Sequence, residues 1–158
     1  MIDKQAICHE AGHTVAALHL GFRVEKIELH QGFPRTVMNL DCGQLAVEQK
    51  LIVLAAGIAA EQAVFGDYNH KACGIDQEMI SERRGGAISD YLLEASRIVH
   101  LHEPCLQRLR VRLMERWLEE EGPYTFDPSP RSPSFELLSH DDIKSIWAEK
   151  PFGHVRPI

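Results

Sequence analysis

His9-Glu10-Ala11-Gly12-His13, running on into Thr14-Val15-Ala16-Ala17-Leu18-His19-Leu20, is the stretch on which the reading of this 158-residue chain turns. Asp3 is placed to cap a helix over about residues 4–20, and Gly21 is its stop signal. Ile7, Ala11, Val15 and Leu18 form the apolar stripe of that helix. Two imidazoles four residues apart lie one turn from each other on one helical face, so their ring nitrogens can converge on a single metal ion. Glu10 projects beside them, where a hydrolase needs its carboxylate. A chain with 9 His and 15 Glu yields about 0.05 such matches by chance, so the rest of the sequence has to supply the context.

Outward from the motif, residues 24–29 (Val-Glu-Lys-Ile-Glu-Leu) alternate apolar and polar as a half-buried strand does. A second strand is expected over 36–40 or 44–47, giving a small, mostly antiparallel sheet. Residues 48–65 are rich in Leu, Ile, Ala and Val at helical spacing and stop at Gly66, which marks the most buried helix. Glu61 falls inside it and must find a partner, because an unpaired buried carboxylate costs several kcal/mol. Residues 66–86 lack sustained periodicity and read as a loop with one short helical turn over 77–82.

Ser89 can cap a helix over 90–102, which Pro104 separates from another over 105–121. Residues 122–134 carry four prolines and read as an irregular connector within the domain, after which Ser139 caps a last helix through Trp147. Trp117, Trp147 and Phe152 are expected to cover the core. The expected architecture is a single domain over 1–158, mainly α with a small β-sheet (α+β), zincin-like, with a helical C-terminal half.

Composition narrows the function. The longest strongly apolar run, residues 51–60, is half of what a membrane-spanning helix requires. The net charge of −6 and the local arginine clusters offer no nucleic-acid track. No GxxxxGK[ST] loop is present, so no ATP binding is expected. Cys8, Cys42, Cys73 and Cys105 show no CxxC spacing and no signal peptide precedes them, which predicts free thiols and a cytoplasmic location.

A catalytic zinc site needs a third side-chain ligand. His19 completes a metzincin-like HExxHxxxxxH spacing, but Ala16 stands where metzincins turn at a glycine. Asp76 sits in the expected loop, and Asp90 stands in the more constrained setting of a helix start. His70 and Cys73 read as an incidental loop pair, Cys8 as a small buried thiol, and His100, His102, His140 and His154 show no ligand spacing.

The HEAGH motif at 9–13, Ala56-Gly57-Ile58-Ala59-Ala60-Glu61 followed by Phe65-Gly66, and Gly86-Ala87-Ile88-Ser89-Asp90 together resemble the peptidase domain of FtsH-type zinc metalloproteases. That family carries HEAGH, an AGxxAE helix and a GAxxD segment in this order. The resemblance also takes in the strand at 24–29 and, at 138–143, the terminal helix of small stand-alone relatives. It implies Zn2+ held by His9, His13 and Asp90, with Glu10 as the catalytic carboxylate. It also implies that Glu61 hydrogen-bonds a ligand histidine.

A metalloendopeptidase is the activity so implied. The family's ATPase module and membrane helices are not found in these 158 residues, so the expected substrates are peptides or unfolded proteins. A homo-oligomer or a separate ATPase would be the partner. A zinc-binding interaction module with little proteolysis is the alternative, separable by zinc content together with cleavage of an unstructured peptide.

Overall fold

A computed structural model describes residues 3–39, 46–68, 74–84, 89–120 and 134–149. Asp3 accepts hydrogen bonds from the Gln5 and Ala6 amides at 3.0 Å and so starts α1 (Lys4–His19). At the other end the Phe22 amide donates to the Ala17 carbonyl at 2.8 Å, around Gly21 at φ +81°. That left-handed residue turns the chain into β1 (Arg23–His30).

Gln31 (φ +52°) and Gly32 (φ +81°) form a two-residue turn of the kind that matches strand twist, and β2 (Phe33–Asn39) returns antiparallel. The second strand therefore begins three residues before the position 36 expected from sequence. Of the alternative at 44–47, Ala46 and Val47 open a helix instead, and residues 44 and 45 lie outside the described ones. Pro34 obscures the strand in sequence but is tolerated on an outer strand, where its missing N–H interrupts no ladder.

A third strand, β3 (Phe135–Ser139), pairs antiparallel with the other side of β1, giving the order β2-β1-β3. Sequence reasoning missed it. Its five residues find their partner more than a hundred positions away, and Ser139 also serves the following helix as a cap. Ser139 and Asp142 form a reciprocal capping box at the start of α6 (His140–Ala148).

Helix α2 (Ala46–Phe65) is apolar on nearly every side and packs against α1, with α4 (Ser89–Leu101) as its second neighbour. Between them in sequence, α3 (Gly74–Arg84) is a helix of 11 residues where a loop with one short turn was expected. Helix α5 (Glu103–Glu120) follows α4 almost without a break. The Leu106 amide donates to the His102 carbonyl at 3.0 Å, and Pro104 sits in the first turn, where its missing N–H costs nothing. One buried apolar cluster joins Ile7 and Val15 of α1, Leu51 and Ala56 of α2, Ile98 of α4, Leu109, Leu113 and Trp117 of α5, and Ile27, Leu138 and Ile143. Trp147 packs against it half-buried, while Phe152 and nearly all of the proline-rich connector lie outside the described residues.

The mainly helical α+β architecture expected from sequence is the one observed. Among the described residues no helix is long and apolar enough to cross a membrane. The α1–α2 contact is unusually close. A Cβ placed on Gly12 would overlap the Ala56 carbonyl oxygen and come to 2.6 Å from Ala60 Cβ. Gly12→Ala is expected to destabilise the fold by about 1–3 kcal/mol despite the better helix propensity of alanine, read as a lower urea midpoint at unchanged m.

Candidate metal centre

Helix α1 delivers His9 and His13 to the α2 surface, where both imidazoles are buried, at 6% and 7% exposure. Each ring is fixed through its Nδ1 atom. His9 Nδ1 lies 2.7 Å from Glu61 Oε1, and His13 Nδ1 lies 2.7 Å from the Val53 carbonyl oxygen. A carbonyl can only accept, so His13 Nδ1 carries the proton. Both Nε2 atoms then point to the same side, with ring centroids 4.5 Å apart and planes at 89°.

Gly57 makes room for this. A Cβ there would come within 2.5–2.7 Å of His9 Cε1, Nε2 and Nδ1, so the His9 ring lies against bare α2 backbone. Glu61 sits one helical turn further along and is fully buried. Its carboxylate therefore has the partner that sequence reasoning demanded, and that partner is His9 of the HExxH motif.

Glu10 lies half-buried beside the pair, and the nearest ligand atoms of His9, Glu10 and His13 fall within 4.8 Å of one another, close enough to hold a metal ion. Its carboxylate is anchored from the sheet: Oε2 accepts from the Thr36 amide at 2.6 Å. The Glu10 backbone carbonyl accepts from the hydroxyls of Thr14 at 2.9 Å and Thr36 at 3.1 Å. The turn at 31–32 directs odd-numbered β2 amides toward β1 and even-numbered ones outward. Pro34 has no amide to present there, and that of Thr36 is free to meet Glu10.

The carboxylate that meets both imidazoles is that of Asp76. Its Oδ2 stands 2.8 Å from His9 Nε2 and 3.3 Å from His13 Nε2. Burial pushes the Asp76 carboxyl up, but its contacts with the His13 and His9 rings outweigh it and hold the group well below the usual carboxylate range. Asp90, the third ligand implied by the resemblance, stands exposed in the first turn of α4.

The signal for Asp76 was present but faint. Ile80, fully buried, lies four residues on, so the face of α3 that enters the core also carries Asp76 to the histidines. Val53 offers no such signal, because a backbone carbonyl leaves no mark on sequence. His19 points elsewhere: its Nδ1 lies 2.9 Å from His102 Nε2. Cys8 is buried, donates to the Ala60 carbonyl at 3.4 Å, and has its thiol pushed up to about 11 by that burial. His70, Cys73 and His154 lie outside the described residues.

Neither family models nor curated proteins match this chain. The case for the centre accordingly rests on its geometry. Two imidazole nitrogens, each on a ring held through its Nδ1 atom, and a carboxylate oxygen form the mixed N and O donor set suited to a divalent transition ion. Gly57→Ala should weaken metal binding by at least tenfold while leaving α2 helical, measured as retained metal after dialysis against a weak chelator. Undiminished retention would show that the His9 ring does not depend on that cleft.

Proposed function

We propose that this protein is a zinc-dependent metalloendopeptidase acting on peptides or unfolded segments. The observation that carries the reading is the pair of buried imidazoles locked through Nδ1 by Glu61 and Val53, with Glu10 anchored beside them. His9, His13 and an aspartate would hold a zinc ion, which would supply the Lewis acidity to polarise a carbonyl and activate water near neutral pH.

The proton work falls to Glu10. With one oxygen tied to the Thr36 amide, its carboxylate accepts a proton from the attacking water. It then returns that proton to the amide nitrogen, which cannot leave as an anion. Glu61 holds the His9 ring in place throughout. β2 is an outer strand of the described sheet, so an extended peptide lying along its outward side, beyond the Thr36 amide that Glu10 occupies, would pass next to Glu10. Cys8 and Cys105 are unpaired buried thiols, in keeping with a reducing, cytoplasmic setting.

Glu10→Gln keeps the shape of the side chain and removes the base. Casein or peptide cleavage should fall by roughly two to four orders of magnitude with metal content unchanged, whereas undiminished turnover would end this mechanism. The third ligand is decided by two further variants. The geometry favours Asp76 and the resemblance Asp90, so zinc measured by atomic emission should be lost in Asp76→Ala and kept in Asp90→Ala. The opposite pattern assigns the ligand to Asp90.

A further inference from the structure

His19 and His102 come together on the far end of α1, away from the centre just described. His19 closes the last turn of α1 and is exposed, and six residues of helix place it roughly 9 Å along the axis from His13. His102 occupies the junction of α4 and α5, where its own amide donates to Ile98 at 3.1 Å and its carbonyl accepts from Leu106. Its ring is tilted against Trp147 of α6, with centroids 4.6 Å apart. The α4–α5 junction thus fixes the His102 backbone and Trp147 packs its ring, while the Nδ1 of His19 stands at hydrogen-bond distance, 2.9 Å, from its Nε2, with ring centroids 5.0 Å apart and planes at 58°.

That separation has a chemical meaning. Two nitrogens bonded to one ion at about 2.0–2.1 Å lie about 2.9 Å apart when they subtend 90°, and about 3.4 Å apart at the tetrahedral angle. Right-angled nitrogen pairs suit tetragonal ions, and a purely imidazole donor set disfavours Mg2+ and Ca2+, which want oxygen. We propose that His19 and His102 form a second, surface site for a tetragonal transition-metal ion of the Cu2+ or Ni2+ kind, with water completing its coordination. Burial, together with the neighbouring His19, lowers the affinity of His102 for a proton, which keeps its imidazole neutral and its lone pair available near neutral pH.

The site stands apart from the metallopeptidase reading and is tested separately. The full chain, first saturated with Zn2+, is dialysed against Cu2+, with retained Zn2+ measured alongside so that displacement at His9 and His13 is counted. One Cu2+ per chain beyond the zinc is expected, with two-nitrogen coupling in its electron paramagnetic resonance spectrum. His19→Gln, at an exposed position, and His102→Gln should each weaken that binding at least tenfold. His100→Gln, at an exposed α4 position with no such partner among the described residues, should leave it unchanged. Equal Cu2+ binding in wild type and His19→Gln, or no extra equivalent in wild type, overturns the proposal and leaves the pair a plain hydrogen bond.

Discussion

The approach of α1 to α2 across Gly12 sets the geometry of everything at the centre. With no side chain at Gly12, α1 settles onto Ala56 and Ala60, and three contacts then form together: Cys8 to the Ala60 carbonyl, His9 to Glu61, and His13 to the Val53 carbonyl. All three reach backbone or buried groups of one helix. Positional accuracy at the two Nε2 atoms is thus inherited from helix packing, which tolerates little displacement. The same requirement explains why α2 is apolar nearly all round: it is covered by α1 on one side and α4 on another, leaving Glu61 as the exception with a task.

That exception has an electrostatic logic. Glu61 and Asp76 bring two carboxylates to the His9 ring, one on each nitrogen. Burying carboxylates is costly unless positive charge or strong donors accompany them, and a neutral His9 ring has one N–H to offer the two. A cation between His9, His13 and Asp76 would answer the same need more fully, which is the physical sense in which this cluster suits a metal.

The sequence was most legible where interactions are local. Asp3 and Ser139 cap the helices they were expected to cap, and the HExxH spacing put both imidazoles on one face. Glu61 was legible by exception, as a charge in an apolar helix. What sequence concealed is non-local: β3 finds its partner far along the chain, and α3 is too polar to show periodicity beyond the Asp76–Ile80 pair. Ranking Asp90 above Asp76 followed from the resemblance and from reading 66–86 as a loop. Once 74–84 is a helix anchored by Ile80, Asp76 has the rigid setting that Asp90 was expected to have.

The position of Glu10 depends on strand register as much as on its own helix. Glu28, only 2% exposed on the central strand, pairs with Lys26 on β1 and with Arg35 directly opposite on β2. Burial opposes the charge on Glu28, but its hydrogen bonds to Lys26 and Arg35 prevail and keep the carboxyl below its ordinary range. A one-residue slip of β2 would pull Arg35 out of this cluster, and it would also turn the Thr36 amide inward, away from the Glu10 carboxylate. The ion pair in the sheet therefore does more than stabilise a hairpin. It reinforces the register that the turn at 31–32 sets, and so helps to hold the Thr36 amide, and with it the Glu10 carboxylate of the proposed peptidase, in place.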